Sequence, residues 1–244
     1  MSNAPERHTR VLVLVEKPLV ADVVRLTLKH GTFVTRHARD VGEACEVLDA
    51  WRPQLAVVDI DGFGDHVVRC NASWGPPGRD CLPVLAVTRR GDLKTKLAAF
   101  DLGVDDIMTL PLSPEELLVR VLVISRRGLG AVVALDPVLK IGELEIDIVN
   151  RRLRAGPADI HLSGLQLNLL YLLVANAGQI VTRDDIVDVV WGVEYVAESN
   201  VVARQVRHLR SELGDDWRKP RFIATVPGQG YRFIPTLPEN QFKA

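Results

Sequence analysis

The sequence predicts two domains of different class, a doubly wound α/β domain followed by an α+β domain of the winged-helix type. Its length of 244 residues suits two domains better than one. Short apolar runs alternate with amphipathic stretches through about the first 127 residues, which is typical of a parallel sheet with helices on both faces. Near the C-terminus, a basic helical stretch precedes a hairpin with a glycine-containing turn. We therefore expect two independent hydrophobic cores.

Composition excludes several classes of protein. The chain is 47% hydrophobic and 25% charged, which is ordinary globular composition, and no stretch approaches the roughly 20 apolar residues of a membrane span. The N-terminus lacks the apolar core of a signal peptide, so we expect a cytoplasmic protein. Cys45, Cys70 and Cys81 are too widely spaced for a zinc site or a disulfide framework, and no cofactor is predicted. A net charge of −1 excludes a uniformly basic nucleic-acid coat protein.

The first domain is predicted from buried strands and the helices between them. Three short apolar runs have the character of parallel strands: 11–15, 55–58 and 84–87. Three amphipathic stretches have helical periodicity: 20–29, 41–51 and 92–102. Functional groups of such a sheet lie where the strands end, which brings Glu16, Asp59 and Thr88 to one edge.

A linker follows at 128–137, where two glycines and a proline interrupt any helical pattern. We assign 1–127 to the first domain, with 1–9 disordered, 138–237 to the second domain and 238–244 to a tail. The second domain opens with short strands over 138–162, turning at Gly142, Asn150 and Gly156.

Three helices and a hairpin complete the second domain. Ser163 and Gln166 form a capping box that starts a helix ending near 176–178, and Thr182 starts a second helix ending near Trp191. The third helix begins at about Ser199. The closing hairpin pairs 221–225 with 231–234 through a turn at 227–230, whose glycines supply positive φ.

The third helix has one apolar side and one cationic side. Its apolar stripe is Val202, Val206, Leu209 and Leu213, and its opposite face carries Asn200, Arg204, Arg207, His208 and Ser211. Between residues 200 and 232, seven lysines and arginines stand against three acidic residues. Arginine can donate to two guanine acceptors at once. The pattern predicts a helix that enters the major groove of double-stranded DNA; the alternative is a merely solvated helix.

This half of the chain resembles the output domain of OmpR/PhoB-type response regulators over essentially all of 138–236. The segments that carry the resemblance are 162–170, 178–185, 190–192, 206–213 and 225–233. It implies base-edge or phosphate contacts from Arg204, Arg207, His208 and Arg210, phosphate contacts from Arg183 and Thr225, and RNA polymerase as a candidate partner. Trp191, Leu209, Tyr231 and Phe233 are expected to pack. Pro227 and His208 depart from the family, since basic residues are usual at both positions.

Residues 10–127 resemble a receiver domain, which is flavodoxin-like in fold. The resemblance implies that Asp59 is the phospho-acceptor, that Thr88 is the hydroxyl switch and that Pro111 follows the last strand. Aspartyl phosphorylation requires a divalent cation held by carboxylates, and a lysine that balances the phosphoryl charge.

The residues that this chemistry requires are largely replaced. Val15 and Glu16 leave one carboxylate of the usual pair, Leu110 stands at the lysine position, and Ile107 replaces the aromatic switch residue. We predict an atypical receiver in which Asp59 is a remnant and no metal binds. The alternative is a phosphorylation-responsive regulator that uses Asp59, with Glu16 and Asp61 holding a weak metal site.

The receiver resemblance also implies a homodimer. Its two-fold interface uses the last two helices and the last strand, and the charged positions that match are Lys96, Asp106, Glu116, Arg120 and Arg127. Lys96 is expected to pair with Glu116, and Asp106 with Arg127, across the two subunits. The alternative is that these charges are only solvated.

Two further alternatives stay open. Asp59 and Asp61 resemble the D-x-D nucleophile loop of haloacid-dehalogenase-type phosphatases, but Phe63 and the lack of a well-placed lysine after Thr88 disfavour an enzyme. The long loop at 70–80 contains Trp74 and suits a ligand-sensing or protein-sensing module. The sequence favours a DNA-binding transcription regulator that is not an enzyme.

Overall fold

The computed structural model describes residues 8–64, 82–129, 133–195 and 200–235. The chain forms two compact units: the first comprises Met1–Leu110 and Glu116–Leu135, and the second comprises Pro111–Glu115 and Asp136–Ala244. Within the described ranges, no helix is long and apolar enough to cross a membrane.

A five-stranded parallel sheet forms the centre of the first unit. Its strands are β1 (Thr9–Leu14), β2 (Phe33–Ala38), β3 (Leu55–Asp59), β4 (Val84–Thr88) and β5 (Asp106–Thr109). They are arranged in the order β2-β1-β3-β4-β5. Every residue of β3 and β4 is buried, because both strands are central and are covered on both faces. The predicted α/β class is confirmed.

Four helices surround this sheet: α1 (Pro18–Leu28), α2 (Val41–Trp51), α3 (Leu93–Asp101) and α4 (Pro114–Leu129). The residue before α2 and the residue before α3 are both aspartates, and each side chain accepts a hydrogen bond from the amide three residues later. These caps explain why both helices begin where the sequence predicts. Residues 60–64 are also helical.

Three features of the first unit differ from the prediction. β1 begins at Thr9, which is 3% exposed, so the predicted disordered segment ends earlier; residues 1–7 lie outside the described ranges. β2 was not predicted, because an edge strand with alternating exposure lacks a continuous apolar run. The predicted linker is partly structured: α4 runs to Leu129, and the amide of Thr32 donates to the carbonyl of Ala134 at 3.2 Å.

The second unit opens with a four-stranded antiparallel sheet in sequential order. Its strands are β6 (Val138–Ile141), β7 (Leu144–Asp147), β8 (Arg152–Ala155) and β9 (Ala158–His161). The turns at Gly142, Asn150 and Gly156 lie between the strands as predicted. Leu144, Ile146 and Leu153 are fully buried, because alternate residues of this sheet face the core.

Three helices and a second sheet follow. The helices are α5 (Gly164–Ala175), α6 (Arg183–Val190) and α7 (Val201–Leu213). Ser163 and Gln166 form both hydrogen bonds of the predicted capping box, and the Thr182 side chain caps α6. Gly214 ends α7 with a φ of 60°, a conformation that glycine adopts without strain. The winged-helix order of elements is confirmed.

The second sheet forms the wing. It joins β10 (Val181–Thr182), β12 (Gly230–Phe233) and β11 (Ile223–Val226), with β12 in the centre. A Cβ atom at Gly230 would lie 2.1 Å from the carbonyl oxygen of Val181, so only glycine allows β12 to approach β10 this closely.

Candidate nucleic-acid interface and acidic pocket

The acidic pocket of the first unit is centred on Asp59, the last residue of β3. Asp59 is 1% exposed, and its Oδ1 accepts a hydrogen bond from the amide of Asp61 at 3.1 Å. Its Oδ2 has no hydrogen-bond partner among the described residues. Burial raises the pKa of Asp59, while the Asp61 amide and the charge of Arg89 act in the opposite direction. The structure thus brings Asp59 and Thr88, two of the three residues predicted at this edge of the sheet, to either side of Asp61.

The carboxylate of Asp61 binds the groups that line the other side of this pocket. The hydroxyl of Thr88 donates to Asp61 Oδ1 at 2.7 Å, and the amide of Arg89 donates to Asp61 Oδ2 at 2.6 Å. The amide of Arg90 in turn donates to the Thr88 hydroxyl at 3.0 Å. The Arg89 guanidinium lies 3.9 Å from the carboxylate of Glu16. The polar groups of the pocket are therefore satisfied largely by one another.

A magnesium ion and a phosphoryl group do not fit this donor set. Val15 is 1% exposed and offers no oxygen ligand from its side chain, and Glu16 already faces a guanidinium. Leu110 and Ile107 are aliphatic at the positions where the family uses a lysine and an aromatic residue. Among the described residues, no group of three or more His, Cys, Asp or Glu side chains could hold a metal ion.

Helix α7 has the two faces that the sequence predicts. Val202, Val206, Leu209 and Leu213 are all 5% exposed or less. Asn200, Arg204, Arg207 and His208 are exposed on the other side. The imidazole Nε2 of His208 lies 3.3 Å from the carboxylate of Glu212, one turn further along the helix. Four of the predicted DNA-contacting residues thus share one solvent-facing surface.

Arg210 is placed differently from the other arginines of α7. It is 9% exposed, and its Nε and Nη2 donate to the carbonyl of Ile223 at 3.1 and 2.7 Å. Nη2 also donates to the hydroxyl of Thr225 at 2.9 Å. Burial lowers the pKa of Arg210, and the nearby carboxylate of Asp215 raises it. The expected direct contact between Arg210 and DNA does not agree with this placement, because the guanidinium joins α7 to the wing.

Asp215 is a structural residue that the sequence reasoning missed. Asp215 is 8% exposed, and its carboxylate accepts hydrogen bonds from the amides of Arg221 and Ile223 at 2.6 and 2.9 Å. Asp215, which lies just after the end of α7, therefore holds the start of β11 in place. The only signal in the sequence is an aspartate after a helix-ending glycine, which also occurs in ordinary turns.

Arg183 and Thr225 lie beside Tyr231 in the wing. The guanidinium carbon of Arg183 is 5.8 Å from the centre of the Tyr231 ring, and that of Arg210 is 5.9 Å from it. Arg183 and Thr225 are exposed, whereas Tyr231 is 4% exposed and packs as expected. Thr225 and Tyr231 are directly paired across β11 and β12, so their side chains lie on the same face of the wing.

The predicted dimer face carries both charges and apolar side chains. Arg120 binds Asp106 and Glu116 of its own chain, each at 2.7 Å, so both acids already have a cation near them. Lys96 is half-buried and Arg127 is exposed. The face also has exposed apolar side chains that the sequence reasoning did not single out: Leu93, Leu97, Phe100 and Val119, which are 46–70% exposed.

The predicted sensing loop at 70–80 lies outside the described residues, as do Cys70 and Cys81. Cys45 is partly buried and is not part of a disulfide.

Comparison with known proteins gives both halves of the chain a family. Residues 157–233 match the family described as "Transcriptional regulatory protein, C terminal". The response regulator MprA of Mycobacterium bovis is 31% identical over 234 residues, which cover 94% of this chain and 99% of that protein. The KDP operon transcriptional regulatory protein KdpE of Escherichia coli is 29% identical over 229 residues, which cover 93% of this chain and 99% of that protein.

Two solved structures are also similar. The response regulator DrrB of Thermotoga maritima, an OmpR/PhoB homologue, is 26% identical over 93% of this chain and 100% of its own, with a TM-score of 0.43. The DNA-binding domain of Klebsiella pneumoniae RstA, solved with its RstA box, is 35% identical over 40% of this chain and 97% of its own, with a TM-score of 0.37.

The chain is 31% identical to a response regulator along nearly the whole length of that protein. Its parallel sheet, capped α5, amphipathic α7 and glycine-containing wing are the elements that the resemblance to this family predicts. The chain belongs to the OmpR/PhoB-type response regulators, and it is a DNA-binding transcription regulator of the two-component type.

Proposed function

We propose that this regulator controls transcription as a homodimer and without phosphorylation of Asp59. The observation that carries the proposal is the hydrogen bond from the Thr88 hydroxyl to Asp61 at 2.7 Å. In a phosphorylated receiver, the switch hydroxyl at this position is expected to bind the phosphoryl group. Here the Thr88 hydroxyl and the Arg89 amide already donate to the two carboxylate oxygens of Asp61. The Asp61 carboxylate thus occupies the donors that a phosphoryl group would need.

The chemistry of the pocket supports the same proposal. Transfer of a phosphoryl group to a carboxylate depends on cations that neutralise the developing charge. Among the described residues, Arg89 is the cation whose charge acts on Asp59, and its guanidinium already lies beside Glu16.

Incubation with acetyl phosphate and Mg²⁺, followed by mass measurement of the intact protein, tests the proposal. We expect no stoichiometric mass gain. A gain of one phosphoryl group that disappears in Asp59→Ala would overturn phosphorylation independence and leave the DNA-binding assignment untouched.

For DNA binding, we propose that Arg204, Arg207, His208 and Asn200 contact base edges and phosphates in the major groove. Arg183 and Thr225 would contact phosphates beside the groove. Arg204 and Arg207 are exposed on the solvent side of α7, which is the side that a groove-binding helix must present. Arg210 is not included, since its guanidinium is buried against β11.

For dimerisation, we propose the face formed by α3, β5 and α4 as a two-fold interface with a second copy of this chain. Leu93, Leu97 and Phe100 follow one another at helical spacing on α3 and are 46–70% exposed. Val119 adds an apolar side chain on α4 that is 59% exposed. Exposed ion pairs contribute only about 0–1 kcal/mol, so the apolar side chains must supply most of the association energy. Lys96, Asp106, Glu116, Arg120 and Arg127 would set the register of the two copies.

Analytical ultracentrifugation of Leu97→Glu tests the interface. We expect a shift of the dimer toward monomer, because the substitution places a charge in the apolar centre of the face. Val34→Glu, on the edge strand β2, introduces the same charge at an exposed apolar position outside the face and is the matched control. An unchanged sedimentation profile for Leu97→Glu would contradict the interface.

A further inference from the structure

We propose that Arg210 is a positioning residue that holds the hydroxyl of Thr225 with its hydrogen directed toward a DNA phosphate. The inference rests on the proposed DNA contact of Thr225. It assigns to Arg210 an indirect effect on DNA affinity, in place of the direct contact that its position on a basic helix suggests.

The hydrogen bond between Arg210 and Thr225 can have only one direction. The Arg210 guanidinium has only donors, so in its 2.9 Å contact the Thr225 oxygen must be the acceptor. The hydroxyl hydrogen of Thr225 cannot point at Arg210 and stays available for another acceptor. Since Thr225 is exposed, its hydroxyl hydrogen can rotate toward an acceptor on the solvent side of the wing.

The Arg210 side chain is held in place by β11. Nε and Nη2 both donate to the carbonyl of Ile223, so the plane of the guanidinium is fixed relative to β11. A bond from a cation also polarises the hydroxyl and strengthens the bond that the hydroxyl donates to an anion.

Thr225 lies beside Tyr231, and Arg183 lies near the ring of Tyr231. The direct cross-strand partner of Thr225 is Tyr231, whose ring centre lies 5.8 Å from the guanidinium carbon of Arg183 and 5.9 Å from that of Arg210. Arg183 is exposed in the first turn of α6, which also carries Asp184 and Asp185, so the attraction for an anion comes from the Arg183 guanidinium. Thr225 and Arg183 thus lie on a surface suited to a phosphate, and Arg210 lies beneath it.

The test is a double-mutant cycle on DNA affinity in the full-length protein. The variants are Arg210→Met, which keeps the apolar stem, Thr225→Val, which keeps the shape, and the double variant. The probe is a 30-base-pair duplex of mixed sequence, because phosphate contacts do not depend on base sequence. We expect each single variant to weaken binding about 5–10-fold, and the double variant to bind no more weakly than the weaker single variant.

The dependence on salt separates positioning from direct contact. Loss of a cation that contacts phosphate lowers the slope of log K against log salt concentration by about 0.9. We expect this change for Arg183→Ala and an unchanged slope for Arg210→Met. A reduced slope for Arg210→Met would show that the guanidinium contacts DNA itself. If the fold-losses in affinity of the two single variants multiply in the double variant, Arg210 and Thr225 act independently and Arg210 has a purely structural role. A reduced salt slope for Arg210→Met or this multiplication of losses would each overturn the inference.

If Arg210→Met does not fold, Arg210→Lys takes its place in the same cycle. Thr225→Ser retains the hydroxyl and should bind within about twofold of the parent protein, whereas equal losses for Thr225→Ser and Thr225→Val would contradict a role for the hydroxyl. Failure of the proposed DNA surface has a different signature: Arg204→Ala and Arg207→Ala would then leave affinity for the same duplex unchanged.

Discussion

The hydroxyl of Thr88 donates a 2.7 Å hydrogen bond to the carboxylate of Asp61, and the amide of Arg89 donates to the other oxygen of the same carboxylate. Asp61 thereby connects the end of β3 to the end of β4 in a pocket where Asp59 is buried. This relationship has consequences for stability as well as for regulation.

Asp61→Ala removes the acceptor for both of these donors. We expect a loss of about 1–3 kcal/mol in the free energy of unfolding of the first unit, because the Thr88 hydroxyl and the Arg89 amide lose their partner. Denaturant titration measures the loss. Asp101→Ala, at an exposed aspartate at the end of α3, should change stability by less than about 0.5 kcal/mol. Equal stability of the two variants would contradict the structural role of Asp61.

Asp59→Asn should stabilise the first unit near neutral pH. Burial raises the pKa of Asp59, so the folded protein binds this proton more tightly than the unfolded chain does. The ionised carboxylate therefore costs stability as the pH rises above about 4. We expect a gain of roughly 1 kcal/mol at neutral pH that vanishes in acid, where the carboxyl is protonated in both states. Thermal unfolding at several pH values measures it, and a gain that grows toward low pH would have the wrong sign.

Gly230→Ala should disrupt the wing. The added methyl group would meet the carbonyl oxygen of Val181 at 2.1 Å, and a backbone atom cannot move aside as a flexible side chain can. We expect a loss of about 2–4 kcal/mol in the stability of the second unit. Gly164→Ala is the matched control, because a Cβ there meets nothing within 4 Å and lies in the first turn of α5. It should be neutral or stabilise the domain by up to about 1 kcal/mol.

Arg204→Ala and Arg207→Ala should each weaken DNA binding, because both side chains lie on the exposed face of α7. For a contact to a phosphate, we expect the salt slope to fall by about 0.9; for a bidentate contact to guanine, we expect a loss of about 1–3 kcal/mol for the operator sequence. Fluorescence anisotropy at several salt concentrations measures both. Arg154→Ala removes an exposed arginine of β8, outside the proposed surface, and should leave binding unchanged.

Local sequence patterns predict much of this fold, since they are determined by neighbouring residues. The capping box of Ser163 and Gln166 gives the start of α5, and α2 spans 41–51 as its periodicity indicates. The central strands are recognisable because burial on both faces requires a continuous apolar run. The edge strand β2 lacks such a run and is seen only in the structure.

The candidate sites were less predictable, because they depend on contacts between distant segments. The end-of-strand rule brings Asp59 and Thr88 together, but nothing local indicates that Asp61 binds the Thr88 hydroxyl 27 residues away. Arg210 did carry a signal: it lies four residues after Val206 and three before Leu213, on the buried stripe of α7. Its charge suggested DNA, whereas its helical position indicated burial.

The most direct test of phosphorylation independence is the affinity of the full-length protein for one fixed DNA duplex, measured with and without acetyl phosphate and Mg²⁺. We expect the same Kd in both conditions, and the same Kd for Asp59→Asn. A several-fold gain in affinity with acetyl phosphate that is absent in Asp59→Asn would contradict it.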